Sequence, residues 1–149
     1  MHCVDVNVLV QAAMAAAPEH AVAREWVLHL RQAPDGLGLF SLVLSGFLRV
    51  TTDRRVFSEP LDPSAAMAFI DSLTVSPVVA VLEPGPRHWS MFRSMVLEHR
   101  PSSVDMTDVY LAAAALEINA SWVSFDRGFA RFEGLRWINP AQRPNAPQK

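Results

Sequence analysis

The segment VDMTDVYLAAAALEI, residues 104–118, constrains the fold of this chain more than any other. Two carboxylates, Asp105 and Asp108, stand at its head, and Ala112 to Leu116 then run as five apolar residues in a row. A helix that is apolar on nearly every side has little water-facing surface, so it must be buried inside a larger body. Helix capping is the plain explanation for acids at its mouth, because carboxylates are favoured at a helix start.

The rest of the chain supplies that body. Its 149 residues are 50% hydrophobic and 19% charged, which suits one domain with a real core and neither a disordered nor a membrane protein. No apolar run approaches the ~20 residues that a membrane helix needs. The opening MHCVDVNVLV lacks the basic region, greasy stretch and small-residue cleavage site of a signal peptide. The single cysteine, Cys3, excludes an internal disulfide, so a cytoplasmic location is expected. A net charge of −2 argues against nucleic acid held by bulk positive charge, while leaving room for a local basic stripe beside an acidic pocket.

Apolar runs and turn signals alternate along the chain. Met1 to Asp5 reads as a buried strand, and Asp5 or Asn7 caps a helix from Val8 to about Ala16. Pro18 fits the first turn of a second helix running to Leu30. LGLF (37–40) is a weak strand after the turn APDG, and SLVLSGFLRV (41–50) has helical spacing with Ser41 as its cap. DPSAAMAFIDSL (62–73) is a helix, Val78 to Leu82 a strand, and residues 86–100 a helix with Trp89, Phe92, Met95 and Val96 on one side. SWVSF (121–125) and LRWIN (135–139) are strands around a helical turn, RGFARF (127–132). Residues 1–140 form one domain, and 141–149 a loose proline-rich tail. Strands separated by helices imply an α/β fold, three layers with a central, mainly parallel sheet. In such folds a site gathers beyond the carboxyl ends of the strands.

The acids fall at those ends. Asp5 closes one strand, Asp126 another, and Asp108 starts the buried helix. Each alone is explained by capping or by a turn. Together they would repel one another, and an aspartate in apolar surroundings loses hydration worth several kcal/mol. A bound cation removes both costs, and hard oxygen ligands suit Mg²⁺ or Mn²⁺. Asn7 and Ser124 are neutral oxygen donors that would complete an outer shell, and each is otherwise a simple cap or strand polar group. Such acid clusters hydrolyse phosphodiesters.

The motifs D-x-N-V-L, FLRVTTDRRVF and DVYLAAAALEINASWVSFDRGFARF occur in an order that resembles the PIN-domain ribonucleases, and the VapC toxins of toxin–antitoxin pairs in particular. The resemblance covers about residues 3 to 140. It implies a PIN-like fold, an endoribonuclease dependent on Mg²⁺ or Mn²⁺, an RNA substrate, a cognate VapB antitoxin and a homodimer. Residue by residue it makes Asp5, Asp108 and Asp126 the catalytic, metal-binding acids, with Asp105 secondary. The family usually has a glutamate where this chain has Gly46, and many relatives have a second acid where it has Gly128.

Arg49, Arg54 and Arg55 are candidates for RNA phosphates, against a solvated face as the alternative. Asp53 is expected to pair with a neighbouring arginine. Trp89, Trp122 and Trp137 are expected in the core rather than stacked on bases. Phosphoaspartyl enzymes also gather aspartates around Mg²⁺, but they need a lysine, and the only one here is Lys149 at the end of the tail. The competing class is a PIN fold that binds RNA or antitoxin and cleaves poorly, with Gly46 and Gly128 in place of acids.

Overall fold

The computed structural model describes residues 1–142, so most of the proline-rich tail lies outside the described residues. The element order is β1 (His2–Val4), α1 (Val6–Ala13), α2 (His20–Leu30), β2 (Leu37–Phe40), α3 (Ser41–Thr51), α4 (Pro63–Thr74), β3 (Val79–Leu82), α5 (His88–His99), α6 (Met106–Glu117), β4 (Ser121–Val123), a 3-10 turn (Arg127–Arg131) and β5 (Arg136–Ile138).

All strand pairs are parallel, in the order β3-β2-β1-β4-β5. The chain builds outward from β1 to β3 and then returns to the other side of β1. Right-handed crossovers therefore place α1 to α4 on one face and α5 with α6 on the other, giving the three layers. The direction reverses between β1 and β4, where Cys3 sits beside Trp122 and Val4 beside Val123. A crevice opens beyond the carboxyl ends of these two strands.

Burial follows from composition. Every residue of β2 is buried, as expected of a strand covered on both faces. Gly38 in its middle is required by close packing, since a Cβ there would lie 2.5 Å from Leu82 Cδ1 and 2.8 Å from Cys3 Sγ. Cys3 is wholly buried, and burial pushes its thiol up to about 12, so it is packing rather than chemistry. In α6, Val109 and Leu111 to Ala115 are all buried, and the small alanines let the helix lie close between its neighbours. No helix among the described residues is long and apolar enough to cross a membrane.

Several local expectations need correction. Ser41 is not a cap: Phe40 occupies the cap position of α3, and the Ser41 hydroxyl donates to Glu83 Oε2 at 2.7 Å. Helix α1 starts at Val6 rather than Val8, because Asp5 caps it directly. Trp122 is wholly buried, but Trp89 is 69% exposed on α5 and takes no part in the core. At the end of α6, Glu117 is buried against the helix dipole. It is compensated by two backbone donors, the N–H groups of Gly85 (2.7 Å) and Arg87 (2.8 Å), which tie the α5 entry to α6.

Candidate active site

Asp5 is the single residue between β1 and α1. Its extended backbone turns the chain into the helix, and its Oδ1 accepts the Val6 N–H at 2.7 Å. Its Oδ2 accepts from Ser124 Oγ at 2.7 Å and from Asn7 Nδ2 at 2.9 Å. Asn7 also donates to Ser124 Oγ at 2.9 Å, and its Oδ1 accepts the Phe125 N–H at 3.2 Å. Ser124 Oγ in turn accepts the Asp126 N–H at 3.0 Å. Two side chains thus staple the start of α1 to the end of β4 and hold Asp5 in one orientation. Burial raises the Asp5 pKa, the bonds from Ser124 and Val6 oppose that rise, and the Asp126 charge adds to it.

Asp126 heads the 3-10 turn and spends Oδ1 on the Gly128 N–H at 2.7 Å. The capping explanation therefore holds for one oxygen of Asp5 and one of Asp126. It fails for Asp108. That residue lies in the first turn of α6, where a helix dipole favours an anion, yet no hydrogen-bond donor among the described residues reaches its carboxylate. Its nearest counter-charge is Arg131 Nη2, 3.7 Å from Oδ2. The Asp108 pKa is pushed up to about 6, first by burial, then by the charges of Asp5 and Asp126, with Arg131 partly offsetting them. The three acids thus feel one another's charge.

They also share one space. Asp5, Asp108 and Asp126 line an open cleft of 340 Å³ together with Asn7 and Gln11, and Val6, Val10 and Val50 form its apolar wall. As they stand, no three carboxylate, imidazole or thiol side chains among the described residues are close enough to enclose an ion. The acids face one cleft without forming a ready-made cage, as repulsion between uncompensated carboxylates dictates.

The secondary candidates divide. Ser124 and Asn7 both hold Asp5, Asn7 lining the cleft as well and Ser124 standing buried behind it. Asp105 occupies the cap position of α6 but caps nothing; it accepts from Ser102 Oγ at 2.7 Å and lies 3.8 Å from Arg131 Nη2. Arg49, Arg54 and Arg55 are exposed and do not line the cleft. Arg55 is clasped by Asp53 through its Nε and Nη2 (2.9–3.2 Å), a pairing that holds the Asp53 carboxyl below the usual range.

Gly46 has a physical reason. A Cβ there would lie 2.8 Å from Val6 Cγ2, so the glycine lets α3 close against the start of α1 beside Asp5. Gln11 and Arg131 were not legible as site residues. Gln11 gave no signal in the sequence. Arg131 gave none either, since side chains on a 3-10 turn align every third position and its spacing of five from Asp126 does not point to the same side.

Comparison with known proteins agrees with this architecture. The chain is 49% identical over 140 residues to "Ribonuclease VapC43" of Mycobacterium tuberculosis, covering 94% of this chain and 95% of that protein. It is 38% identical to "Ribonuclease VapC25" of the same organism, covering 94% and 99%. Among solved structures, VapBC2 from Rickettsia felis, bound to a promoter DNA fragment, superposes with a TM-score of 0.67 at 14% identity over 93% of this chain and 97% of that one. The model of the PIN domain matches residues 2–135, so the chain belongs to the PIN domain family.

Proposed function

We propose that this chain is a VapC-type toxin, an endoribonuclease that hydrolyses RNA phosphodiester bonds with Mg²⁺ or Mn²⁺ and is neutralised by a cognate VapB-type antitoxin. The observation that carries the reading is the meeting of Asp5, Asp108 and Asp126 at the crevice where the strand order reverses, each facing the same cleft. Relatives named as VapC ribonucleases, similar over nearly their whole length, support it.

The donor chemistry fits a hard divalent cation. All three acids offer carboxylate oxygen, with no thiol or imidazole lining the cleft among the described residues, and the Asp108 pKa is raised by burial and then by the charges of Asp5 and Asp126. Mg²⁺ keeps several waters and is commonly held through only one or two carboxylates, so three direct ligands are not required. Asp108 and the second oxygen of Asp126 would hold the ion, with Asp5 beside them. When bound, the cation lowers the pKa of a water and stabilises charge on the phosphate. The protein's own part is orientation: Ser124 and Asn7 fix Asp5, the rigid α6 carries Asp108, and Arg49 and Arg54 meet the RNA backbone outside the cleft.

A basic side chain from the antitoxin would answer the same negative charge, and a homodimer in the cytoplasm completes the reading. A non-catalytic binding module is the second reading, favoured by Gly46 and Gly128 standing where acids would otherwise add to the cleft's charge. RNA incubated with Mn²⁺ separates the two. Cleavage that is lost in Asp5→Ala and Asp108→Asn supports the nuclease, and RNA retention without cutting supports the module.

A further inference from the structure

We infer that Arg131 is a built-in counter-ion of the cleft, one that holds Asp105 and Asp108 until a divalent cation takes Asp108 and then turns to a phosphate of the RNA. The inference rests on the metal reading of the acids given above. Arg131 Nη2 stands between two carboxylates, 3.8 Å from Asp105 Oδ1 and 3.7 Å from Asp108 Oδ2. These separations are longer than a hydrogen bond and the side chain is 37% exposed, so the contact is electrostatic and exchangeable rather than locked.

One contact holds the guanidinium at this post, and a glycine leaves room for it there. Its carbon lies 4.7 Å from the centre of the Phe132 ring, a stacking contact independent of either acid. Its Nη1 lies 3.3 Å from where a Cβ on Gly128 would be, so any side chain at 128 would press on the guanidinium. One Nη serves both acids, which leaves most of the five N–H donors of the fork unused. A cation on Asp108 removes one of the two partners that hold Arg131 inward and leaves only the partly exposed Asp105, and a phosphate suits the loosened fork in charge and shape. Arg131 is thus a competitor of the cation before RNA arrives and a positioning residue afterwards.

The two roles predict effects of opposite sign, which a merely structural residue would not produce. Mn²⁺ binding without RNA is measured on the full chain by electron paramagnetic resonance, and cleavage of RNA under saturating Mn²⁺ is measured alongside. Arg131→Met is expected to bind Mn²⁺ about two- to fivefold more tightly, the size of a half-exposed ion pair. It is also expected to cleave with a raised KM, and Arg131→Lys should restore both values part of the way. Unchanged or weaker Mn²⁺ binding by Arg131→Met, with wild type binding normally, overturns the inference alone. No Mn²⁺ binding by either protein overturns the metal reading and the inference with it.

Discussion

Ser124 Oγ donates to Asp5 Oδ2 at 2.7 Å from a fully buried position, linking the end of β4 to the end of β1 across the point where the sheet changes direction. Ser124→Ala leaves Asp5 with Asn7 as its only side-chain donor and strips the Asp126 N–H of its acceptor. We expect a loss of about 1–3 kcal/mol in stability, as for a buried polar group left unpaired. Chemical denaturation would measure it. Cleavage should fall as well, since the orientation of Asp5 is no longer fixed.

Asp108 carries a folded-state pKa of about 6 against 3.8 in an unfolded chain. The folded state therefore holds the proton more tightly, and the stability this gives is present at low pH and is lost as pH rises towards and past 6. In metal-free protein, Asp108→Asn removes a charge that the fold resists. We expect the variant to melt higher than wild type at pH 7.5, by a margin that shrinks towards pH 4, while its cleavage is abolished. His2, whose pKa is lowered mainly by burial, titrates alike in both proteins and drops out of the difference.

Gly46 tests close packing against helix propensity. Alanine in a helix interior is worth roughly 0.5–1 kcal/mol over glycine. A Cβ there would stand 2.8 Å from Val6 Cγ2 on a stiff β-branched side chain, and overpacking of that kind costs about 1–3 kcal/mol. The clash should win, so Gly46→Ala is expected to destabilise, and Gly46→Glu to do so more. Thermal melting checks the order.

Arg49 and Arg54 are exposed and unpaired by any acid among the described residues, whereas Arg55 is engaged by Asp53. Replacing Arg49 or Arg54 with alanine should weaken RNA binding for all sequences alike and flatten its salt dependence. Arg55→Ala should have less effect on binding, because its charge is already paired. Titrations of RNA at several salt concentrations would read both.

Much of this was legible in the sequence. Residues just past a strand's carboxyl end face the crevice, so Asp5, next after β1, and Asp126, at the head of the turn that follows β4, were legible by position, and the apolar run of α6 forced Asp108 to its mouth. Long-range partners were not legible. Ser124 and Asn7 meet across 117 residues of chain, and nothing local to either says so. Glu117 reads as a surface acid at the end of a helix, and only the fold brings the Gly85 and Arg87 amides to it. Trp89 shows the opposite failure: helical spacing placed it with the core residues of α5, while that helix packs chiefly on α6 and leaves the tryptophan in solvent.

The central claim is that the acids of one cleft hold a divalent cation. Crystals grown with Mn²⁺ and measured at its absorption edge test it most directly. An anomalous peak in the cleft, within coordinating distance of Asp108 and at least one of Asp5 and Asp126, is the expected result. A cleft without such a peak, at Mn²⁺ concentrations that support RNA cleavage, would contradict it.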